Sequence, residues 1–490
     1  MKKLLFIILG IALTGSQYSC RKTLDVNKNP NDPADVTVMD LLPAAQVSLA
    51  HQYGNYYQIT GGLWAQYWTQ NASSSQYRSY EQYNPDPSDG NRPWQELYAG
   101  VLTDLDQIVK KAGTAENTRN YTAIAKILQG FTYQLLTDAY GDIPFSEALL
   151  GQSTNGQNGI TSPKYDRQQD VYAGIIKLVK EGRDLIDEGA LAPGNDDLLL
   201  HGDMATWGQF ANTLLLRMYL RMVYVNPGAA MAGISEVSAD PYGFLQTTVQ
   251  MNYANSAGNY NPLYSEIVGL SFTTNLVASA TSVNALVSRN YDPRVEVFYT
   301  GLTALEQGYY STPSPTTYSK PSGLVGGDPA DPSSAEAPVK FISSYESYFL
   351  QAEAAARMGD VNTAREAYET AVRTNFEEYG LSEYGLTDTT GPYVDSLLER
   401  YAVYPTGGST EDQIRMIITE KWFAMNGTQN FEAWTEWRRT GYPTFFTVSR
   451  NSRVGNQFPA RLPYPENEST RNLNFPGQRP VTEKLWWDVN

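Results

Sequence analysis

The stretch YESYFLQAEAAARMGDVNTAREAYETAVRTNF, residues 345–376, decides the architecture. Apolar and small residues recur at helical spacing through Tyr345–Met358, the pattern breaks at Met358-Gly359-Asp360, and it resumes over Thr363–Asn375. That layout is two helices folded back on each other across a glycine turn. Working outward, Ile414, Ile417, Ile418, Trp422 and Met425 make a further helical stripe, followed by Phe431–Arg438. Upstream, Trp207, Phe210, Ala211, Leu214, Leu215, Met218 and Met222 form a strong core-facing stripe, with Arg217 and Arg221 one turn apart. Val171, Ile175, Leu178 and Ile186 make a weaker one. Ile124, Ile127, Leu128, Phe131 and Leu135 precede the turn Tyr140-Gly141-Asp142-Ile143-Pro144, where Gly stops a helix and Pro prevents its resumption. Period-two alternation is scarce. Residues 311–338 carry six prolines and read as a long loop, and the tail after about residue 440 is irregular, with Pro443, Pro459, Pro463, Pro465 and Pro476. The fold class is therefore mainly α with long structured loops.

Ala352, Gly359, Ala364, Tyr368 and Ala371 also sit at the offsets of a tetratricopeptide repeat, a pair of helices over about 34 residues whose small side chains allow close approach. A plain αα-hairpin uses the same spacing, and these residues leave both readings open. The Ile124 and Trp207 stripes are candidates for degenerate copies.

Composition narrows the function. The chain has 490 residues, 41% hydrophobic and 18% charged, which suits a large buried core and not a disordered acidic chain. Lys and Arg number 36 against 52 Asp and Glu, a formal charge of −16 that repels phosphate backbones and sets nucleic-acid binding aside. One Cys excludes an internal disulfide and a thiolate metal cage, and two His leave little for a histidine metal site or histidine catalysis. No cofactor or metal is expected. G-x-S-x-G, P-loop, G-x-G-x-x-G and H-E-x-x-H motifs are all lacking, and His51 and His201 read as surface or capping residues. A pair of carboxylates hydrolysing glycosides stays open, because 52 acids cannot be sorted by eye.

At the start of the chain, Met1-Lys2-Lys3 and the apolar run Leu4–Leu13 have the form of a secretory signal, too short to span a bilayer. The reading is a signal peptide at 1–19, with Cys20 as the lipid-bearing first residue of the mature chain. Ser19 fits that site and Gln17 departs from the usual aliphatic residue; ordinary cleavage with a spectator Cys is the alternative. Residues 20–43 read as an extended, lipidated arm rich in Asn, Asp and Pro, and 44–490 as a single α domain. Asp25, Asn27 and Asn29 begin like a calcium loop, but Pro30 and Val36 occupy the positions that an EF-hand gives to Gly and Glu.

These stretches together resemble the SusD/RagB-like nutrient-binding outer-membrane lipoproteins. The matching pieces are Leu24-Asp25-Val26-Asn27-Lys28-Asn29-Pro30-Asn31, Trp94-Gln95-Glu96-Leu97-Tyr98, Thr137 to Ala148, Trp207 to Arg221 and Tyr348 to Gly359. Glu420-Lys421-Trp422, Glu436-Trp437-Arg438-Arg439-Thr440-Gly441-Tyr442-Pro443 and Arg461-Leu462-Pro463-Tyr464-Pro465 follow in the same order. The resemblance implies tetratricopeptide-like helix pairs packed with a less regular, loop-rich half that carries the ligand surface. It implies a non-enzymatic, outward-facing outer-membrane lipoprotein that captures oligomeric nutrient, glycan ahead of peptide. Its partner would be a SusC-like TonB-dependent transporter. Arg21-Lys22 after Cys20 replaces the acidic run that marks surface export in some members, so orientation rests on the resemblance. An adaptor that only holds protein partners through its helix pairs is the alternative, and a surface glycoside hydrolase a more distant one.

The ligand candidates are aromatic. Residues 51–98 hold Tyr53, Tyr56, Tyr57, Tyr67, Tyr77, Tyr80, Tyr83, Tyr98, Trp64, Trp68 and Trp94, about twice the chain's 12% aromatic content. Sugar rings offer flat C–H faces that stack on such rings, while amides and Arg take the hydroxyls. Trp64 with Trp68, and Trp94 with Tyr98, are spaced to face a helix core. Tyr77, Tyr80 and Tyr83, with Arg78 among serines, read as loop-borne ligand contacts, and Tyr309, Tyr310 and Tyr318 in the Pro-rich loop form a second group. Arg438-Arg439 with Glu436 reads as a structural ion-pair cluster, and Trp486-Trp487 as either a partner contact or a packed tail.

Overall fold

The computed structural model describes residues 36–115, 117–151, 158–310, 317–385 and 391–489. Eleven of the described helices carry the architecture: α1 Val38–Gln52, α2 Gln58–Trp64, α3 Thr103–Ala112, α4 Arg119–Tyr140, α5 Gln168–Leu185, α6 Met204–Arg221, α7 Pro227–Ser238, α8 Ser344–Arg357, α9 Val361–Glu378, α10 Thr410–Met425 and α11 Asn430–Thr440. Four short strands accompany them: β1 Trp68–Gln70, β2 Val249–Met251, β3 Leu276–Ala278 and β4 Val339–Ile342. They form two antiparallel ribbons, β1 with β3 and β2 with β4.

Helices pack mainly against their neighbours in sequence. α8 lies along α9, α4 along α5, and α6 bridges α5 and α7; α10 joins α8 to α11. The α8–α9 hairpin is built as its sequence directs. Gly359 takes φ +80° at the turn, and the Asp360 carboxylate caps α9 by accepting from the Thr363 backbone N–H at 3.1 Å. Ala352, Ala364, Tyr368 and Ala371 are all buried in the pair. Gly141 ends α4 with φ +84°, its N–H donating to the Thr137 carbonyl at 2.8 Å. The Ile124 and Trp207 stripes are buried throughout. On α5 the buried line is Val171, Ile175 and Val179; Leu178 is only half-buried, because the stripe advances by four and not by three.

Of the arm, residues 20–35 and Cys20 lie outside the described residues, as does the 1–19 leader. The extended reading fails for its end, since Val38 to Pro43 already belong to α1. Thr37 starts that helix: its hydroxyl and backbone N–H both donate to the Asp40 carboxylate, at 2.7 and 3.3 Å. Among its described residues the Pro-rich loop has two short 3₁₀ turns, Gly323–Val325 and Pro332–Glu336, before β4.

Between the helices runs a buried ionic layer. Arg217 bonds Glu346 at 2.9 Å, and Arg221 bonds Glu432 at 2.7 Å and Asp138 at 3.4 Å and pairs with Glu436. Arg439 bonds Glu353 at 2.6 Å and Glu436 at 2.5 Å. Lys421 stands 3.6 Å from Glu436 and 3.8 Å from Glu346. α4, α6, α8, α10 and α11 are tied together by these pairs, so the Arg439–Glu436 cluster is structural. Arg438 lies 3.5 Å over the Trp434 ring and donates to the Asp138 and Ala460 carbonyls. The tail is packed: Trp487 is buried and donates to Asp138 at 2.9 Å.

Candidate functional site

The candidate surface begins where β1 leaves the helical core. β1 pairs with β3 in the register Trp68↔Ala278, Thr69↔Val277 and Gln70↔Leu276. The chain then turns sharply through residues 71–77, and Gln70 holds that turn. Its Oε1 accepts from the Tyr77 backbone N–H at 2.6 Å, while Nε2 donates to Asn275 Oδ1 at 3.2 Å and Ser74 Oγ at 3.1 Å. An amide carries both donors and acceptors, so one side chain can close a loop from two sides. Asn71 N–H to the Asn275 carbonyl, at 2.7 Å, continues the ribbon by one bond.

The tyrosines expected on a loop are in fact buried: Tyr77, Tyr80 and Tyr83 are 6%, 5% and 4% exposed. Residues Arg78–Glu81 form a single helical turn, which aims Tyr80 inward against Tyr56 and Trp64, with ring centroids 6.4 and 6.2 Å away. Tyr83 takes φ +55° and its hydroxyl accepts from the Ser449 backbone N–H at 3.1 Å, binding this turn to the C-terminal segment. Tyr77 packs edge-on to Phe272 and donates to Glu266 at 3.4 Å. Burial and the Glu266 carboxylate push its phenol well above the usual range. Polar Ser, Gln and Asn neighbours made this stretch look like a surface loop; they are instead consumed in pinning the turn.

Tyr77 and Tyr80 nevertheless help line a hollow of about 240 Å³, together with His51, Asn55, Tyr56, Gln76, Asp89, Arg92 and Glu266. Asn55 donates to Glu266 at 3.3 Å. Burial, then the nearby Arg92 charge, lowers the His51 imidazole, which favours the neutral ring at neutral pH. His201 is exposed on a turn with φ +51°.

Two groups that are far apart in sequence meet here. The Arg78 guanidinium lies 4.6 Å above the Tyr310 ring, while its Nη2 donates to the Ser74 carbonyl at 2.8 Å and the Ala72 carbonyl at 3.4 Å. Next to it, Arg450 lies 4.5 Å over Tyr309 and pairs with Glu306. Tyr309, Tyr310 and Tyr318 are half-buried. The Tyr310 hydroxyl and Arg78 Nε have no hydrogen-bond partner among the described residues. Beside Tyr318, the Ser319 N–H donates to the Thr303 carbonyl at 2.8 Å.

Beneath this layer lies Glu81, 1% exposed and without a cationic partner among the described residues. It accepts from the Gln70 N–H at 3.3 Å and from Gln307 Nε2 at 3.4 Å, and its second oxygen has no partner among the described residues. Burial pushes this carboxyl up to about 8, so it is largely protonated at neutral pH.

Gln70, Glu81, Glu266, Phe272 and Arg450 were not singled out from the sequence. Nothing in their local pattern marks them, because each is placed by contacts across about 140 or more residues or by the ribbon pairing. Trp64 and Trp68 are buried as their spacing suggested, though Trp68 sits on β1 and not on a helix. Trp94 and Tyr98 pack with ring centroids 4.9 Å apart and planes tilted by 44°. Among the described residues no cluster of three or more His, Cys, Asp or Glu could hold a metal, and no helix is long and apolar enough to cross a membrane.

A family model described as "Starch-binding associating with outer membrane", named SusD-like_2, matches residues 30–465. No curated protein matches by sequence. Among solved structures, a Bacteroidetes AC2a SusD-like protein superposes with a TM-score of 0.75 at 22% identity, covering 93% of this chain and 100% of its own. A SusD homologue from Bacteroides uniformis gives 0.72 at 25% identity, covering 92% and 99%. A chitin-binding SusD homologue from Flavobacterium johnsoniae gives 0.71 at 20% identity, covering 92% and 97%.

Proposed function

Because the chain belongs to the SusD-like family of starch-binding proteins associated with the outer membrane, we propose that it captures an oligomeric glycan at the cell surface and passes it to a SusC-like TonB-dependent transporter. The family's members are non-catalytic carbohydrate-binding proteins, and binding here involves no reaction. Cys20 would carry the lipid anchor, with the body facing outward; oligopeptide is the second ligand class.

One observation supports the ligand surface above the rest. Arg78 and Tyr310 converge from well-separated parts of the sequence into one stacked pair, and the Tyr310 ring is only half-buried, which leaves part of its surface open. A partly open aromatic surface among polar side chains is what a sugar ring needs: C–H groups against the ring, hydroxyls on the polar groups around it. Tyr309, under the Arg450 guanidinium, extends that face. Tyr77 contributes through the hollow, whereas Tyr80 and Tyr83 act by holding the turn in place. The chain's acidic balance favours an uncharged glycan over an anionic one.

Titration of the detergent-solubilised full chain with maltohexaose, chitohexaose and oligopeptides of matched length, followed by calorimetry, tests this reading. Binding of either glycan, weakened by Tyr310→Ala, supports it. Binding of peptide alone would move the protein to the peptide class, and silence from all three would remove the capture function.

A further inference from the structure

A large cavity lies beside the surface just described. It is about 1030 Å³, bounded by residues 280–289, by α10 and by the segment 443–450. Pockets that bury a small ligand have volumes of roughly 300–1000 Å³. Two rings on its walls are among the most exposed aromatics of the protein, Tyr401 at 41% and Phe445 at 39%. Phe445 packs edge-on to Trp422 with centroids 5.2 Å apart and lies 6.3 Å from Phe423.

At the base, Phe423 carries the Arg289 guanidinium on its face at 4.1 Å. Arg289 is 6% exposed and pairs with Glu420; its Nη1 is 3.7 Å from Asp292. Its Nε and Nη1 make no hydrogen bond among the described residues, an arrangement that is costly for a buried donor. The other two arginines of the cleft are also committed, Arg415 to Asp412 at 2.8 Å and Arg450 to Glu306. Each charge in the lining therefore already faces its opposite. What remains for a ligand is aromatic surface and neutral hydrogen-bonding groups, chiefly Asn284 and Thr419, with the Thr281 and Ser288 hydroxyls able to accept while they donate to Gln66 and the Ala285 carbonyl.

We propose that this cleft is a second oligosaccharide-binding site, and that it takes an uncharged glycan. A charged ligand would have to compete for guanidinium and carboxylate groups that are already paired; a neutral polyhydroxyl chain would not. The cleft adjoins the first surface, since Arg450 lines it while lying over Tyr309. A long glycan held at one site would therefore be close to the other, and two weak sites on one polymer bind more tightly than either alone. The choice of ligand class rests on the reading given under Proposed function; the location and charge state of the site do not.

The test uses trisaccharides, maltotriose and chitotriose, titrated calorimetrically into the full chain. The expected result is two binding events per chain. The double variant Tyr401→Ala, Phe445→Ala should bind once; Phe445 packs on Trp422, so its melting temperature should fall slightly, and the surviving Tyr310-dependent event shows that the variant is folded. Tyr310→Ala should abolish the other event and leave the cleft event intact. Two events surviving in the cleft variant, or one event in the unaltered chain that only Tyr310→Ala removes, would overturn the second site and leave the first. A single event removed only by the cleft variant would overturn the first site and support the second. Silence towards both sugars would overturn both.

Discussion

Arg78 does two things with one planar group. Its edge holds the carbonyls of Ala72 and Ser74, and its face lies on Tyr310. Lys keeps the charge but offers neither the flat face nor the fork, so Arg78→Lys should weaken glycan binding nearly as much as Arg78→Ala, read by calorimetry. Tyr310→Ala should weaken it about tenfold or more, with an unchanged melting temperature, since stacking contacts of this kind are worth roughly 1 kcal/mol or more each. Tyr80 is the contrasting residue. Its ring is enclosed by Tyr56 and Trp64, so Tyr80→Ala should destabilise the fold by about 3 kcal/mol in denaturant titration. Glu81 sets a pH dependence. Its folded carboxyl is raised to about 8, above its unfolded value, so the folded state binds the extra proton and stability falls as pH rises from about 5 to 8. Glu81→Gln, which mimics the protonated form, should flatten that decline; an unchanged slope of melting temperature against pH would show that Glu81 ionises freely.

At the scale of elements, the closest approach is between α2 and the start of α11. A Cβ on Gly61 would lie 2.4 Å from the Phe431 nitrogen and 2.5 Å from the Asn430 carbonyl carbon, both backbone atoms that cannot swing aside. Gly61→Ala should therefore lower the melting temperature by several degrees, and a neutral outcome would mean that the two helices slide apart easily. The helices were largely legible beforehand because their signals are local: the Trp207 stripe, the Gly359-Asp360 turn and the Gly141 stop each lie within a few residues of what they control. The site was only half legible. Tyr310 stands out as an aromatic on the Pro-rich loop and Arg78 as a polar neighbour of the loop tyrosines, but their contact joins distant parts of the sequence and no spacing rule predicts it. Tyr80 and Tyr83 were misplaced for the same reason. Serine and glutamine around them suggested solvent, when Gln70, Asn275 and Ser449 were using those polar groups to bury the turn.

For the molecule as a whole, the ionic layer linking α4, α6, α8, α10 and α11 stands where many bundles place only apolar side chains. Arg221 meets Asp138, Glu432 and Glu436, so Arg221→Met would leave acidic groups buried without their cation and should destabilise the protein by about 3–5 kcal/mol. Such a rigid core suits a protein whose work is to hold ligand loops in a fixed relation and not to move them. The account as a whole depends on one claim, that the Arg78–Tyr310 surface binds glycan. Calorimetric titration of the full chain and of Tyr310→Ala with maltohexaose and chitohexaose tests it most directly. The account predicts binding of at least one sugar by the unaltered chain, at micromolar to millimolar affinity, with the variant weakened about tenfold at unchanged melting temperature. Equal binding by both proteins, or binding by neither, would contradict it.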